Sequence, residues 1–444
     1  MRVPWSSSPQ AGPAREPWSN WAGTVTCRPT SVEYPVTTAD MARVVRAARR
    51  RGQQVKAIGS GHSFSPIAAT DGVQVRLGRH RRVLDIDRER ATVTVEAGIR
   101  LRSLANTLAA RGLALTNLGD VAVQSLAGAI STGTHGTGAR YGGLATQVLG
   151  LEMILADGSV VQASPEEEPE LFDAARLGLG ALGLISTVTL QCVPAFDLRA
   201  VEDRVDLDSV MASLDDDVGA YDHYEWYWVP HTRRVRTKAN DRTDEAPRGR
   251  GRLGEWRDRM FLENVVFGAL CRVERRIPAL THRLAPIVAS GGRSEWIERS
   301  DRVFTSPRRV HFVEMEYALP RDRLRGVIDA LVDVVDDLNI AFPVEVRFAA
   351  ADDVPLSTAY GRESAYVAVH QYRGMAYRAW FEAAEAIFTE AGGRPHWGKM
   401  HTRDAAGLAP LYPRWEAFAA VRRRVDPGGL WSNAYLDRVL GPVG

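Results

Sequence analysis

Cysteine is nearly absent. Cys27, Cys192 and Cys271 stand far apart in 444 residues, and no CxxC pair occurs. This argues against a disulfide framework or a cysteine-built zinc site and suits a reducing compartment. Lysine is equally rare. Lys56, Lys238 and Lys399 are the whole set, and the other 53 of the 56 basic residues are arginine. A lysine kept in a suggestive place in such a chain therefore carries information. Net charge is small, +2 from 56 basic and 54 acidic residues, which argues against a protein that neutralises nucleic-acid backbones. Long apolar runs are missing too. The longest, Leu177 to Leu190, is broken by glycines and hydroxyl residues and is too short to span a bilayer. The N-terminus lacks the apolar core of a signal peptide. These absences predict a soluble, cytoplasmic protein without an integral membrane segment, and leave peripheral association with a membrane open.

What is present is ordinary for a globular chain: 45% hydrophobic and 25% charged residues, in a length that suits two or three domains. Residues 1–19 read as a flexible tail. Thr38 caps a helix with Met41, Val44, Val45 and Ala48 on one face, closed by Gly52. Val55 to Ile58 reads as a strand running into a glycine-rich turn. Val73 to Leu77 and Thr92 to Glu96 alternate as half-buried strands do. Leu101, Leu104 and Leu108 mark a second helix. Asp157-Gly158 joins a hairpin, and Leu184 to Val193 is a further strand. Residues 20–195 thus form an α+β domain, with a boundary at Pro194. In 196–444, Tyr224 to Trp228, His311 to Leu319, Ile340 to Phe348 and Ser364 to Gln371 read as strands. Arg323 to Leu338 and Ala376 to Ala391 read as helices. The pattern predicts a sheet with helices on one side. The arginine-rich stretch Arg233 to Arg257 is interrupted by acids and reads as a solvated loop or helix face rather than a nucleic-acid patch.

Two segments draw attention as sites. Gly59-Ser60-Gly61-His62-Ser63 follows a strand, and such a turn can aim successive N–H groups at an anion. It is neither a Rossmann fingerprint, since Phe64 stands where a third glycine is needed, nor a nucleophile elbow. This disfavours a nicotinamide dehydrogenase. Ser125 to Gly138 holds four glycines and five hydroxyl residues in fourteen positions. Small residues let a large ligand approach the backbone. Two such loops in one domain favour a nucleotide-type cofactor. No metal is expected, because His396 and His401 are five apart and no HExxH exists.

The GSGHS turn, the SLAGAISTGTHGTG segment and the strand GALGLISTVTL resemble the FAD domain of the vanillyl-alcohol-oxidase/p-cresol-methylhydroxylase flavoproteins. Three later segments narrow the resemblance to the aldonolactone oxidoreductases, with similarity to alditol oxidase: Val344-Glu345-Val346-Arg347, Arg394-Pro395-His396-Trp397-Gly398-Lys399, and Asp426-Pro427-Gly428-Gly429-Leu430-Trp431-Ser432-Asn433. The resemblance implies an FAD domain over 20–195 and a substrate-binding cap over 196–444 whose last segment returns to the flavin. Gly59, Ser60, Gly61, His62 and Ser63 would bind the diphosphate, and His62 is the candidate for covalent attachment. Ser125, Gly128, Ile130, Gly133, Thr137, Gly138, Ala139, Arg140 and Ile185 would line the flavin, with Ser125 also near substrate.

The residues themselves agree with this picture. Glu345 and Arg347, two apart on a strand, share one face. They can form an ion pair, or they can serve alcohol oxidation. Glu345 would accept or orient the hydroxyl proton, while Arg347 or Lys399 would balance charge on reduced flavin. His370 lies on a neighbouring strand and can reach substrate or flavin. The expected activity is oxidation of an aldono-1,4-lactone by hydride transfer to flavin, with oxygen or an electron carrier as acceptor. Oxidation of an open-chain sugar alcohol is the alternative, and a flavin-free, arginine-rich binding protein is the alternative outside catalysis.

Overall fold

The structure is a computed structural model that describes residues 17–249, 265–306 and 308–443. Residues 1–16 of the expected tail, and the end of the arginine-rich stretch, lie outside the described residues. The tail's last residues, Trp18 and Ser19, pair as a short strand with Thr26–Cys27.

The first half of the chain builds two sheets. Ser31–Glu33, Val73–Arg76 and Val55–Ile58 form a parallel sheet with Val73–Arg76 in the middle. Both faces of that central strand are covered, so Gln74 is fully buried rather than exposed as simple alternation predicts. Helix Thr38–Arg50 buries Met41, Val45 and Ala48. Its cap is Thr37, which forms a capping box with Asp40. Thr38 instead bonds Glu152 Oε1 at 2.8 Å. A five-stranded antiparallel sheet runs in the order 160–163, 148–154, 184–191, 92–96, 83–87. Its hairpin turns at Gly158, whose φ of +84° suits glycine.

The second half builds one eight-stranded antiparallel sheet. Its order is 294–299, 197–206, 234–243, 223–228, 344–349, 364–372, 312–320, 394–395. The first part of the arginine-rich stretch is therefore not a loop or helix face. Arg234–Thr243 is a ten-residue strand inside the sheet, paired on both sides. Its arginine stems and alternating Val235 and Ala239 suit a strand with one apolar face.

Period-two alternation decides where the site lies. Tyr224, Trp226, Trp228, Val313, Met315, Tyr317, Val344, Val346, Phe348, Val367 and Val369 form one apolar face. Helices Leu207–Ala220, Leu324–Val335 and Arg378–Glu390 pack on it. The residues between them, Glu225, Tyr227, Glu314, Glu316, Glu345, Arg347 and His370, point the other way. These polar side chains are nonetheless buried, apart from the partly buried Tyr227, because the first half of the chain closes over that face.

The C-terminal segment ties the two halves together. Phe64 N–H donates to Gly398 O at 2.7 Å, and Val55 N–H to Leu430 O at 2.8 Å. Asp426 accepts the N–H groups of Leu430 and Trp431 at 2.8 and 2.9 Å. Asn433 caps the last helix and donates to the carbonyls of Pro66, Ile67 and Ala69. Tyr412, Trp415, Phe418 and Leu436 then join the core of the first half.

Candidate active site

A cavity of about 630 Å³ lies between the polar face of the large sheet and the first half of the chain. Its walls include Trp21, His62, Tyr227, Glu314, Glu316, Glu345, Arg347, His370 and Lys399. It shares His62, Ser63, Gln124 and Thr132 with a narrower cavity that runs between turn 58–63, the start of helix Leu126–Ser131, and residues 178–185. Gly59 to Ser63, Ser125, Gly128 and Ile185 line the narrow part. Glu345, Arg347, His370 and Lys399 line the wide part. His62 stands at the junction. Ile130, Gly133, Thr137, Gly138, Ala139 and Arg140 are set behind these walls rather than on them. Ile130 is core. Thr137 bonds the Tyr224 carbonyl, Gly138 N–H bonds Phe348 O at 2.8 Å, and Arg140 pairs with Asp222 on the outside. Thr137, Gly138 and Arg140 thus join the two halves of the chain.

The polar face is a chain of buried ion pairs. Arg347 sits between two carboxylates, with Nη2 2.5 Å from Glu345 Oε1 and Nε 3.0 Å from Glu225 Oε2. Tyr227 donates its hydroxyl to Glu345 Oε1 at 3.0 Å. Lys238 approaches Glu225 at 3.4 Å. Lys399 Nζ lies 2.5 Å from Glu314 and 4.0 Å from Glu316. His370 Nε2 lies 3.5 Å from Glu314 and 4.0 Å from Glu345, and its Nδ1 faces Pro343 O at 3.0 Å.

Burial and charge oppose each other here, and charge prevails. Burial lowers Arg347, yet Glu345 and Glu225 hold it well above its usual value. Burial lowers Lys399, but Glu314 and Glu316 raise it overall, so it stays an ammonium. Burial raises Glu314, but Lys399 and His370 bring it down to about 2. At His62 burial dominates. With Arg100 and Lys399 adding to it, the imidazole falls to about 4 and is neutral at pH 7.

Glu314 makes acid sensitivity predictable. Its carboxyl is depressed when folded, so the unfolded chain takes up the proton first. The stabilisation is whole above about 4.5, the usual value, and is lost as pH falls toward about 2. Urea unfolding at pH 6 and pH 3 is expected to show a smaller loss for Glu314→Gln than for wild type. Equal losses would remove this assignment.

Several site groups were not visible in the sequence. Glu314 and Glu316 repeat the two-residue spacing of Glu345 and Arg347, and that spacing was the available signal. His135 lies in the GTHGTG segment, and its Nε2 is 3.2 Å from Glu316. His135, Glu316 and His396 come within 4.8 Å of one another, a grouping that spacing along the chain could not reveal. Lys56, one of the three lysines, lines the narrow cavity and donates to the carbonyls of Gly180 and Trp431.

The two joined cavities suit FAD. A narrow glycine-walled channel fits a diphosphate and its nucleotide, and a wide polar chamber fits a planar ring beside its substrate. Two buried polar atoms on the channel wall, Gln124 Oε1 and Trp431 Nε1, have no protein partner among the described residues. Such atoms fit a ligand with donors and acceptors of its own.

The family matches place the chain among flavin-dependent oxidoreductases. A family model for an FAD binding domain matches residues 29–164. A second, for D-arabinono-1,4-lactone oxidase, matches residues 188–439, and the chain belongs to that family. L-gulono-1,4-lactone dehydrogenase of Mycobacterium tuberculosis is 44% identical over 96% of this chain and 99% of its own length. L-gulonolactone oxidase of Bos taurus is 34% identical over 95% of this chain and 98% of its own. Cholesterol oxidase from B. sterolicum shares the fold, with a TM-score of 0.80 at 16% identity, covering 99% of this chain and all of that one. FAD is the cofactor of this enzyme.

Proposed function

We propose that the protein oxidises a secondary alcohol of an aldono-1,4-lactone of the L-gulono or D-arabinono type. Bound FAD supplies the hydride acceptor. The observation that carries the reading is the buried Glu345–Arg347 pair, held by Glu225 and lining the wide cavity that His62 also lines. Glu345 takes the hydroxyl proton or fixes the hydroxyl's direction. Tyr227 holds Oε1 of Glu345, which leaves Oε2 as the free acceptor. Arg347 and Lys399 supply fixed positive charge in a site shielded from water. His370 completes the polar contacts to a polyhydroxylated ring, while Ser125 contacts the cofactor from the narrow channel. Residues 20–195, with the C-terminal helices packed on them, hold the cofactor, and the large sheet holds the substrate. The second substrate is oxygen or an electron carrier. No helix among the described residues is long and apolar enough to cross a membrane. Three buried, unpaired cysteines support a cytoplasmic site of action.

Turnover measured side by side with L-gulono-1,4-lactone and xylitol tests the substrate class. The lactone is expected to be preferred. Activity on xylitol alone would assign the enzyme to open-chain polyols.

His62 is neutral, sits at the cavity junction and stacks on Trp21 with centroids 5.3 Å apart. We assign it as the covalent attachment point. Acid precipitation of wild type is expected to leave the yellow colour in the pellet, and His62→Leu is expected to release it to the supernatant. Colour in the wild-type supernatant would remove the covalent bond and keep the enzyme class.

A further inference from the structure

We propose that a groove outside the catalytic cavity, walled by Arg272, Arg275, Arg309 and Arg373, binds a small soluble phosphate ester, and that its occupancy is felt at the flavin through Trp21. The first part stands apart from the substrate reading above. The second rests on the placement of the flavin beside His62.

The groove has a volume of about 550 Å³. Three segments meet in it: helix Phe267–Arg276, residues 309–311, and residues 372–374 at the end of strand Ser364–Tyr372. Its polar walls are the four arginines, His311 and Tyr372, and no carboxylate among the described residues lines it. Arginine is abundant in this chain, so number alone says little. Pairing says more. Arginines elsewhere on the surface commonly hold a carboxylate: Arg302 reaches Glu298 at 2.8 Å, and Arg424 reaches Glu168 at 3.1 Å. Arg272, Arg275 and Arg373 form no ion pair with any described residue.

Two of these side chains lie on glycine. A Cβ on Gly374 would stand 3.3 Å from Arg275 Cδ and Nη1, and one on Gly23 would stand 2.8 Å from Arg373 Nη2. Both glycines have positive φ, +89° and +72°. Any other residue there would push the arginine away. The guanidinium groups are thus bedded against backbone and share one groove without a countercharge. A phosphate supplies it, since its oxygens match the planar fork of donors. Several arginines suit more than one phosphate group. Val265, Val310 and the Tyr372 ring give apolar surface for the carbon part of an ester.

The groove is joined to the catalytic cavity by a column of rings. His311 stacks on Trp21 with centroids 4.5 Å apart, and Trp21 stacks on His62 at 5.3 Å. Burial, and then the charge of Arg373, hold His311 below the usual histidine value. A bound phosphate opposes the Arg373 charge and draws a proton onto His311. A cation then lies against one face of Trp21, whose other contact is His62.

Calorimetric titration of the holoenzyme with fructose 1,6-bisphosphate at low salt is the test. Saturable one-to-one binding is expected, weakening as salt rises. The double variant Arg272→Gln, Arg275→Gln is expected to lose at least tenfold in affinity while keeping its flavin content and lactone turnover. Arg49→Gln, Arg50→Gln, at the exposed end of helix Thr38–Arg50, is expected to bind as wild type does. Wild type without saturable binding would overturn the site, as would a groove variant that binds equally well or an equal loss in the Arg49, Arg50 pair. Binding to phosphatidylglycerol vesicles without binding of the soluble ester would overturn it too. Saturation is expected to shift the flavin absorption band in wild type, and Trp21→Leu is expected to bind the ester without that shift. Binding that leaves the wild-type band unmoved would overturn the link through Trp21. Because the titration needs neither lactone nor turnover, the site stands or falls apart from the substrate reading.

Discussion

Glu345→Gln is expected to lower kcat for lactone oxidation by about 10²–10⁴-fold with little change in KM. Glutamine keeps the shape of the side chain and can still accept the Tyr227 hydroxyl, which lies 3.0 Å from Oε1. It cannot take up a proton. The variant thus separates proton acceptance from binding. Loss of positioning alone would appear chiefly in KM, and Glu345→Asp, which retains the carboxylate but shortens its reach, would then do as badly. The decisive measurement is the single-turnover rate of cofactor reduction. A Glu345→Gln rate within a few-fold of wild type would remove Glu345 from the chemistry.

The second large effect is structural as well as catalytic. Arg347→Met is expected to cost about 3–5 kcal/mol of stability, the usual result of taking one partner out of a buried ion cluster. Arg347 lies between Glu345 and Glu225, and Asp120 adds to the negative field around it. Without the guanidinium, Glu225 keeps Lys238 at 3.4 Å, and Glu345 keeps the Tyr227 hydroxyl, the His370 imidazole and the more distant charge of Lys399. Arg347→Lys is expected to recover part of the stability and little of the rate. An ammonium restores the charge, but it cannot bridge two carboxylates as the planar fork does. Urea unfolding of both variants, alongside their kcat, checks this. A stable Arg347→Met protein would show that the cluster is not a coupled unit.

The sequence made the site legible in one respect above all. Alternation along strands placed Glu345 and Arg347 on one face, and the large sheet carries them there. The same rule applied to Val313-Glu314-Met315-Glu316 would have found two more carboxylates. They passed unnoticed because an isolated acid on a strand normally faces water, and only the closing of the first half over the sheet buries them. The arginine-rich strand 234–243 reads from sequence as a loop or helix face for a related reason. Arginine is abundant throughout this chain, so its density said little, and sheet pairing with two neighbours overrode local composition. Thr38 lost the capping role to Thr37 by one residue, a difference that spacing does not resolve. Residues 137–140 belong to a motif whose glycine and threonine serve the junction between halves, and a motif does not say which of its atoms face a ligand. His135, Glu316 and His396 come from three distant segments, beyond the reach of any local pattern.

The most direct test of flavin-dependent lactone oxidation is the absorption spectrum of the purified protein under anaerobic conditions, before and after L-gulono-1,4-lactone is added. The flavin spectrum is expected to bleach on addition of the lactone and to return when an acceptor is supplied. A flavin band untouched by aldonolactones but bleached by a sugar alcohol would contradict the assigned substrate, and a protein that holds no flavin even after FAD is supplied would contradict the site itself.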